Sequence, residues 1–186
     1  AILVWNGSDG TRVERNLITD SYRGIALGLG EPGEISRNRD SGFDHLEGVI
    51  QQNVLVNLNR WADEAIEVNK ARGVRIEHNT VLVEGAMPWS VSVRFRGTTA
   101  TVLDNLTNRL VQTRDGATIT SAGNVSGAVR GWFVDAVRGD MRLSPAAGPA
   151  FDAGVLIQGL ETDFDRKPRV AGKAPDAGAF ERRPGS

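Results

Sequence analysis

The chain of 186 residues has no cysteine, which excludes disulfides and thiolate metal sites. That absence leaves the compartment open, because a reducing cytosol and a cysteine-free secreted protein both satisfy it. Lysine is scarce: Lys70, Lys167 and Lys173 are the full set, and arginine supplies the rest of the 22 basic residues. Histidine is limited to His45 and His78. With a formal net charge of −1, the chain lacks the basic excess that recruits a nucleic-acid polyanion. No run approaches the roughly 20 apolar residues that a membrane span needs, so membrane insertion is not expected. The leading Ala1-Ile2-Leu3-Val4-Trp5 is too short for a signal peptide and has no basic leader. No window sustains the i, i+3, i+4, i+7 spacing of an amphipathic helix beyond a single turn near Asn59 to Ala65, which argues against helical repeats.

What the chain does have is a repeat. Short apolar segments flank an asparagine in Val13-Glu14-Arg15-Asn16-Leu17-Ile18 and Ile50-Gln51-Gln52-Asn53-Val54-Leu55. The series continues in Ile76-Glu77-His78-Asn79-Thr80-Val81 and Val102-Leu103-Asp104-Asn105-Leu106-Thr107, with a degenerate copy at Ser121-Ala122-Gly123-Asn124-Val125. Asn53, Asn79 and Asn105 are 26 residues apart. The apolar positions three before and two after each asparagine are separated by an odd number, which on one straight strand points them to opposite faces. Both reach one core only if the backbone bends between them, and asparagine tolerates the left-handed conformation of such a bend. Stacked asparagines then bond one another as a ladder.

A second strand group alternates with the first: Ile2-Leu3-Val4, Ile25-Ala26-Leu27, Ile66-Glu67-Val68, Val91-Ser92-Val93 and Ala117-Thr118-Ile119. Two strand groups and a bent corner in each period predict one coil of a β-solenoid. The step from Asn16 to Asn53 is longer, 37 residues, and its excess lies in the glycine-rich stretch from Gly28-Leu29-Gly30-Glu31-Pro32-Gly33 to Gly42. Extra residues of this kind are expelled as a loop on one side of a solenoid.

With these segments in view, almost the whole chain resembles the pectate-lyase-like superfamily of right-handed parallel β-helices. The tail adds a second likeness: Gly148-Pro149-Ala150-Phe151-Asp152-Ala153-Gly154, Asp163-Phe164-Asp165-Arg166-Lys167-Pro168-Arg169 and Pro175-Asp176-Ala177-Gly178-Ala179-Phe180-Glu181 are similar to the "SPAIDAG … DFDGxPR … DIGAYE" ending of many secreted bacterial β-helix proteins. Arg166 stands here for the usual glycine and Ala177 for the usual isoleucine. The resemblance implies an all-β, right-handed parallel β-helix of about five coils in residues 1–145, a tail in 146–186 packed over the last coil, and further coils missing before residue 1. It also implies a secreted or cell-surface location. Asp152, Asp163, Asp165 and Asp176 can be read as a calcium site; aspartates in such settings more often cap turns by accepting backbone N–H groups.

Outward residues on successive coils form columns about 4.8 Å apart, suited to an extended polysaccharide. On the second strand group these are Leu3 and Trp5, Ala26 and Gly28, Glu67 and Asn69, Ser92 and Arg94, Thr118 and Thr120. The stretch from Asp63 to Lys70, followed by Val93-Arg94-Phe95-Arg96-Gly97, resembles the alginate and chondroitin lyases of the β-helix class. The resemblance implies β-elimination on an acidic glycan: Glu64 and Glu67 would hold calcium, Lys70 would be the base and Arg94 would assist. Arg96, Asn69 and Trp5 would then contact the sugar. Elimination needs a cationic group for the uronate carboxylate and a base for the α-proton. The pattern departs from that family where Ala65 takes the place of an acid and Lys70 is one residue displaced. A glycosidase would need two carboxylates about 5 to 9.5 Å apart, and no spacing singles out a pair among Asp63, Glu64, Glu67 and Glu84. Trp5, Trp61, Trp89 and Trp132 can stack on sugars or fill coil junctions. The competing expectation is a non-catalytic glycan-binding or structural surface module.

Overall fold

The computed structural model describes residues 1–31 and 33–183; Pro32 of the insertion and the last three residues of the tail lie outside them. Three five-stranded parallel sheets dominate, and the chain visits them in the same order on every pass. Sheet I collects Ile2–Val4, Ile25–Leu27, Ile66–Asn69, Trp89–Arg94 and Leu110–Arg114. Sheet II collects Arg12–Glu14, Val49–Gln51, Val74–Glu77, Thr99–Leu103 and Thr118–Ala122. Sheet III collects Leu17–Thr19, Val54–Asn57, Thr80–Val83, Leu106–Thr107 and Val125–Ser126. On the first three passes a two-residue strand (Ser8–Asp9, His45–Leu46, Ala71–Arg72) sits between sheets I and II. The result is a β-solenoid.

Its interior is built by register. Val13, Ile50, Ile76 and Val102 lie directly beside one another, and Ile2, Ile25, Ile66 and Val91 form the equivalent column of sheet I. These columns, with Leu55 and Val81 of sheet III, form one buried apolar cluster. Burying an aliphatic side chain of this size contributes about 1.5–3 kcal/mol, so aliphatic stacking carries the fold.

The corner between sheets II and III bends one residue earlier than the sequence suggests. The residue before each asparagine takes positive φ: Arg15 (52°), Gln52 (53°), His78 (51°), Asp104 (56°) and Gly123 (64°). The asparagine itself is freed to form the ladder. Its side-chain amide donates to the next asparagine's Oδ1 at 2.9 Å (Asn16 to Asn53), 3.0 Å (Asn53 to Asn79), 2.9 Å (Asn79 to Asn105) and 2.8 Å (Asn105 to Asn124). The same amide also donates to a carbonyl of the pass before, as from Asn79 to Ile50 at 2.9 Å. The interior amides are thus satisfied where they are buried.

Three expectations shift. The fifth strand of sheet I is Leu110–Arg114, and the segment expected there, Ala117 to Ile119, leads into the sheet II strand Thr118–Ala122. The reason is length: Asn105 to Asn124 spans 19 residues, so the last pass has no room for an extra strand. The outward pair on that pass is Gln112 and Arg114, in register with Ser92 and Arg94. The tail also reaches well beyond the last pass. Gly178 N donates to the Asp104 carbonyl at 2.7 Å, Ala179 N to Thr80 Oγ1 at 2.8 Å, and Arg15 Nη2 to Thr162 Oγ1 at 2.8 Å. Sheet III dictates this course, because Val54, Val56, Leu82 and Leu106 are apolar on its outer side. Met141 and Leu143, on the strand Asp140–Leu143 that pairs antiparallel with Phe133–Asp135, and Ala177, Ala179 and Phe180 of the tail cover them in a second core. Val111 and Ile119 of the last pass, by contrast, are only partly buried. Finally, the insertion is tied down: Gly30 N donates to Asp44 Oδ2 (2.6 Å), Asn38 Nδ2 to the Ser8 carbonyl (2.7 Å), and Arg72 pairs with Asp40 (2.7 Å).

Candidate functional site

The outward side of sheet I gathers most of the chemically dense residues. Glu67 and Asn69 point away from the core because Ile66 and Val68, which alternate with them, point into it. Ser92 and Arg94 stand beside them in register. Glu64, two residues before Ile66, accepts from Trp89 Nε1 at 2.9 Å and from Arg114 Nη1 at 3.1 Å, and the Arg114 guanidinium lies 4.2 Å over the Trp89 ring. Three successive passes are therefore joined by one carboxylate, one indole and one guanidinium.

The acids are held close. Asn69 Nδ2 donates to Glu67 Oε1 at 2.6 Å. Arg23 Nη2 pairs with Asp63 at 2.7 Å, and its Nη1 lies 3.1 Å from Glu67 Oε2, out of line for a hydrogen bond. Burial first, and the neighbouring Glu67 charge second, push the Glu64 carboxyl above its ordinary pKa. Among the described residues, four buried oxygens here have no hydrogen-bond partner: Glu64 Oε2, Glu67 Oε2, Asn69 Oδ1 and Ser92 Oγ. Beside the acids, Tyr22 and Trp61 stack with ring centroids 6.3 Å apart and planes 12° apart, and both are more than half exposed (61% and 51%). The Asp63 N–H bonds the Tyr22 carbonyl at 2.7 Å, which fixes this aromatic pair next to Glu64.

The residues named from sequence separate into groups. Glu64, Glu67 and Asn69 come together as described. Lys70 does not join them on the face; it takes the bend conformation (φ 47°) just past the strand, is buried, donates to the Glu34 carbonyl and lies 3.6 Å from Asp44 Oδ1. It pins the insertion. Arg94 is bound to Asp115, whose carboxyl that hydrogen bond holds below the usual range. Arg96 is exposed in the following turn, and Trp5 is 57% exposed just past the first strand. Among the described residues no three His, Asp or Glu side chains converge as a metal-binding group. The residues missed from sequence are Arg23, Tyr22, Asp44, Asp115 and Arg114. A correct placement of the fifth strand would have brought Arg114 into the same column as Asn69 and Arg94.

The tail acids are occupied by backbone donors. Asp163 Oδ1 accepts from Lys167 N (2.9 Å), Asp176 Oδ1 from Asp152 N (2.7 Å), and Asp152 Oδ1 from Lys173 N (2.6 Å) and Ala174 N (3.0 Å). Asp165 pairs with Arg142 at 2.9 Å. Comparison of the chain with family models, curated proteins and solved structures gave no match. The fold and this face define a parallel β-solenoid with an acidic, aromatic-flanked flank.

Proposed function

We propose that the chain forms a right-handed parallel β-helix of about five coils, of the pectate-lyase-like superfamily, exported to the medium or cell surface, and that it binds glycan along the outward side of sheet I. Right-handedness is the sense that nearly all parallel crossover connections take. The observation that carries the binding reading is the stacked, half-exposed Tyr22–Trp61 pair set beside Asp63 and Glu64. Aromatic faces with adjacent carboxylates present the apolar and hydrogen-bonding sides that a sugar ring needs. The test is calorimetric titration with a panel of neutral, acidic and amino-sugar oligomers. Trp61→Ala is expected to weaken binding of any active oligomer about tenfold, the loss of a modest aromatic anchor. Unchanged affinity in that variant removes the aromatic pair from the binding surface.

A second reading, calcium-assisted β-elimination of an acidic glycan, is favoured by the oxygens of Glu64 and Asn69 that accept no hydrogen bond, close to the Glu67 carboxylate. Such oxygens suit a hard cation, and calcium bound there would supply charge neutralisation for a uronate carboxylate. Lys70 would have to leave Asp44 and the Glu34 carbonyl to act as a base. Unsaturated uronate appearing on incubation with alginate, pectate or chondroitin, and lost in Lys70→Ala, selects this reading over binding alone.

A further inference from the structure

The charge ledger of the sheet I face goes further than the presence of a glycan. Each cation that projects near Glu64 and Glu67 is already held by a carboxylate: Arg23 by Asp63 and Glu67, Arg94 by Asp115, Arg114 by Glu64. Lys70, past the corner, is held by Asp44. On the face itself three cations, Arg23, Arg94 and Arg114, therefore stand against four anions, Asp63, Glu64, Glu67 and Asp115. The excess is negative, and Glu31 of the insertion adds its charge near Arg94. Arg96, the exposed cation at this edge, sits in the turn beyond the strand, against Gly116. A uronate carboxylate laid on this face would meet anions whose counter-cations are spent.

The unsatisfied groups of the face are mostly acceptors. Among the described residues, Glu64 Oε2 and Asn69 Oδ1 accept no hydrogen bond, Glu67 Oε2 meets only the Arg23 guanidinium, 3.1 Å away and out of line, and the Ser92 hydroxyl makes no hydrogen bond beside them. Asn69 is 4% and Ser92 0% exposed. Leaving several buried acceptors empty is costly, at about 1–3 kcal/mol each, unless water or a ligand fills them. A ligand that answers an acceptor-rich, net-anionic site carries N–H donors and positive charge.

We infer that the ligand of this face is an amino-sugar chain with free ammonium groups, one of which is received between Glu64 and Glu67 while a neighbouring ring stacks on Tyr22 and Trp61. This rests on the glycan-binding reading above and narrows it to a cationic substrate class. It also gives Asn69 a positioning role: its amide holds Glu67 Oε1, so that Glu67 Oε2, 3.1 Å from the Arg23 guanidinium, is the oxygen the ammonium would share.

The test uses the full chain titrated with a fully deacetylated glucosamine oligomer, the same oligomer N-acetylated, and an oligouronate, at low and high salt. The expected result is binding of the deacetylated oligomer, weakened by salt, with about tenfold loss in Glu67→Gln, the scale of one charge-assisted hydrogen bond. The substitution is isosteric, and a circular dichroism spectrum and melting curve matching the parent show that it folds. Equal binding of the acetylated and deacetylated oligomers, or indifference to Glu67→Gln, overturns the ammonium site while leaving glycan binding standing. Preference for the oligouronate overturns it in favour of the lyase reading. No binding of any oligomer overturns both proposals.

Discussion

At the scale of single residues, the molecule depends on pairs of neighbours with divided duties. The residue before each corner asparagine makes the bend, and the asparagine makes the hydrogen bonds. Asn79 accepts from Asn53 and donates to both Asn105 and the Ile50 carbonyl. Asn79→Ala strands these buried groups, and a loss of about 1–3 kcal/mol per orphaned partner is expected in urea unfolding. A variant as stable as the parent would show that the ladder is dispensable. His78, one residue earlier, is buried with its Nε2 3.1 Å from Asp104 Oδ2, and burial lowers its pKa.

At the scale of elements, the stacked columns and the lateral tail can be probed separately. Ile76 is fully buried between Ile50 and Val102, so Ile76→Ala should cost about 2–5 kcal/mol. The tail carries a pH signature. Burial pushes the Glu181 carboxyl up to about 7 from 4.5. The folded form thus holds the proton more tightly than the unfolded one, so the stability linked to Glu181 is full below 4.5 and is lost as pH rises through about 7. Asp176 shifts in the same direction, also through burial, whereas lowering His78 from its ordinary 6.5 works the opposite way, giving stability that is lost on acidification. Comparing melting temperature against pH for the parent and Glu181→Gln isolates the first effect: the parent should fall relative to the variant between about pH 5 and 8. Parallel curves would contradict the assignment.

The same scale shows what was legible in the sequence. Ile50, Ile76 and Val102 could be aligned because their spacing of 26 residues is regular and their side chains are aliphatic. The strand Leu110–Arg114 was hidden, because the final repeat is shorter and Ala117-Thr118-Ile119 mimics the alternation of sheet I. The reach of the tail was hidden for a different reason. Val54, Val56, Leu82 and Leu106 alternate with core residues, so apolar runs such as Val54-Leu55-Val56 mark both sides of sheet III as buried without saying what covers the outer one. At the site, Glu64, Glu67 and Asn69 were legible as a local cluster. Their partners Arg23 and Arg114 lie 40 or more residues away, and only the stacking brings them in.

For the whole molecule, the tail and the stack act as one unit with two cores. Removing residues 128–186 would uncover Val54, Val56, Leu82 and Leu106, and the truncated chain is expected to aggregate at concentrations where the parent stays monodisperse by light scattering. Everything proposed for the sheet I face presupposes passes piled in register. Spin labels at the exposed positions Arg12 and Thr120 test this directly, since Arg12, Val49, Arg75, Thr101 and Thr120 are successive partners across sheet II. Four steps of about 4.8 Å predict a narrow dipolar distance distribution centred near about 19 Å between the two backbones, broadened only by the label arms. A broad distribution, or one centred at more than about twice that separation, would contradict the stacked solenoid and the glycan face built on it.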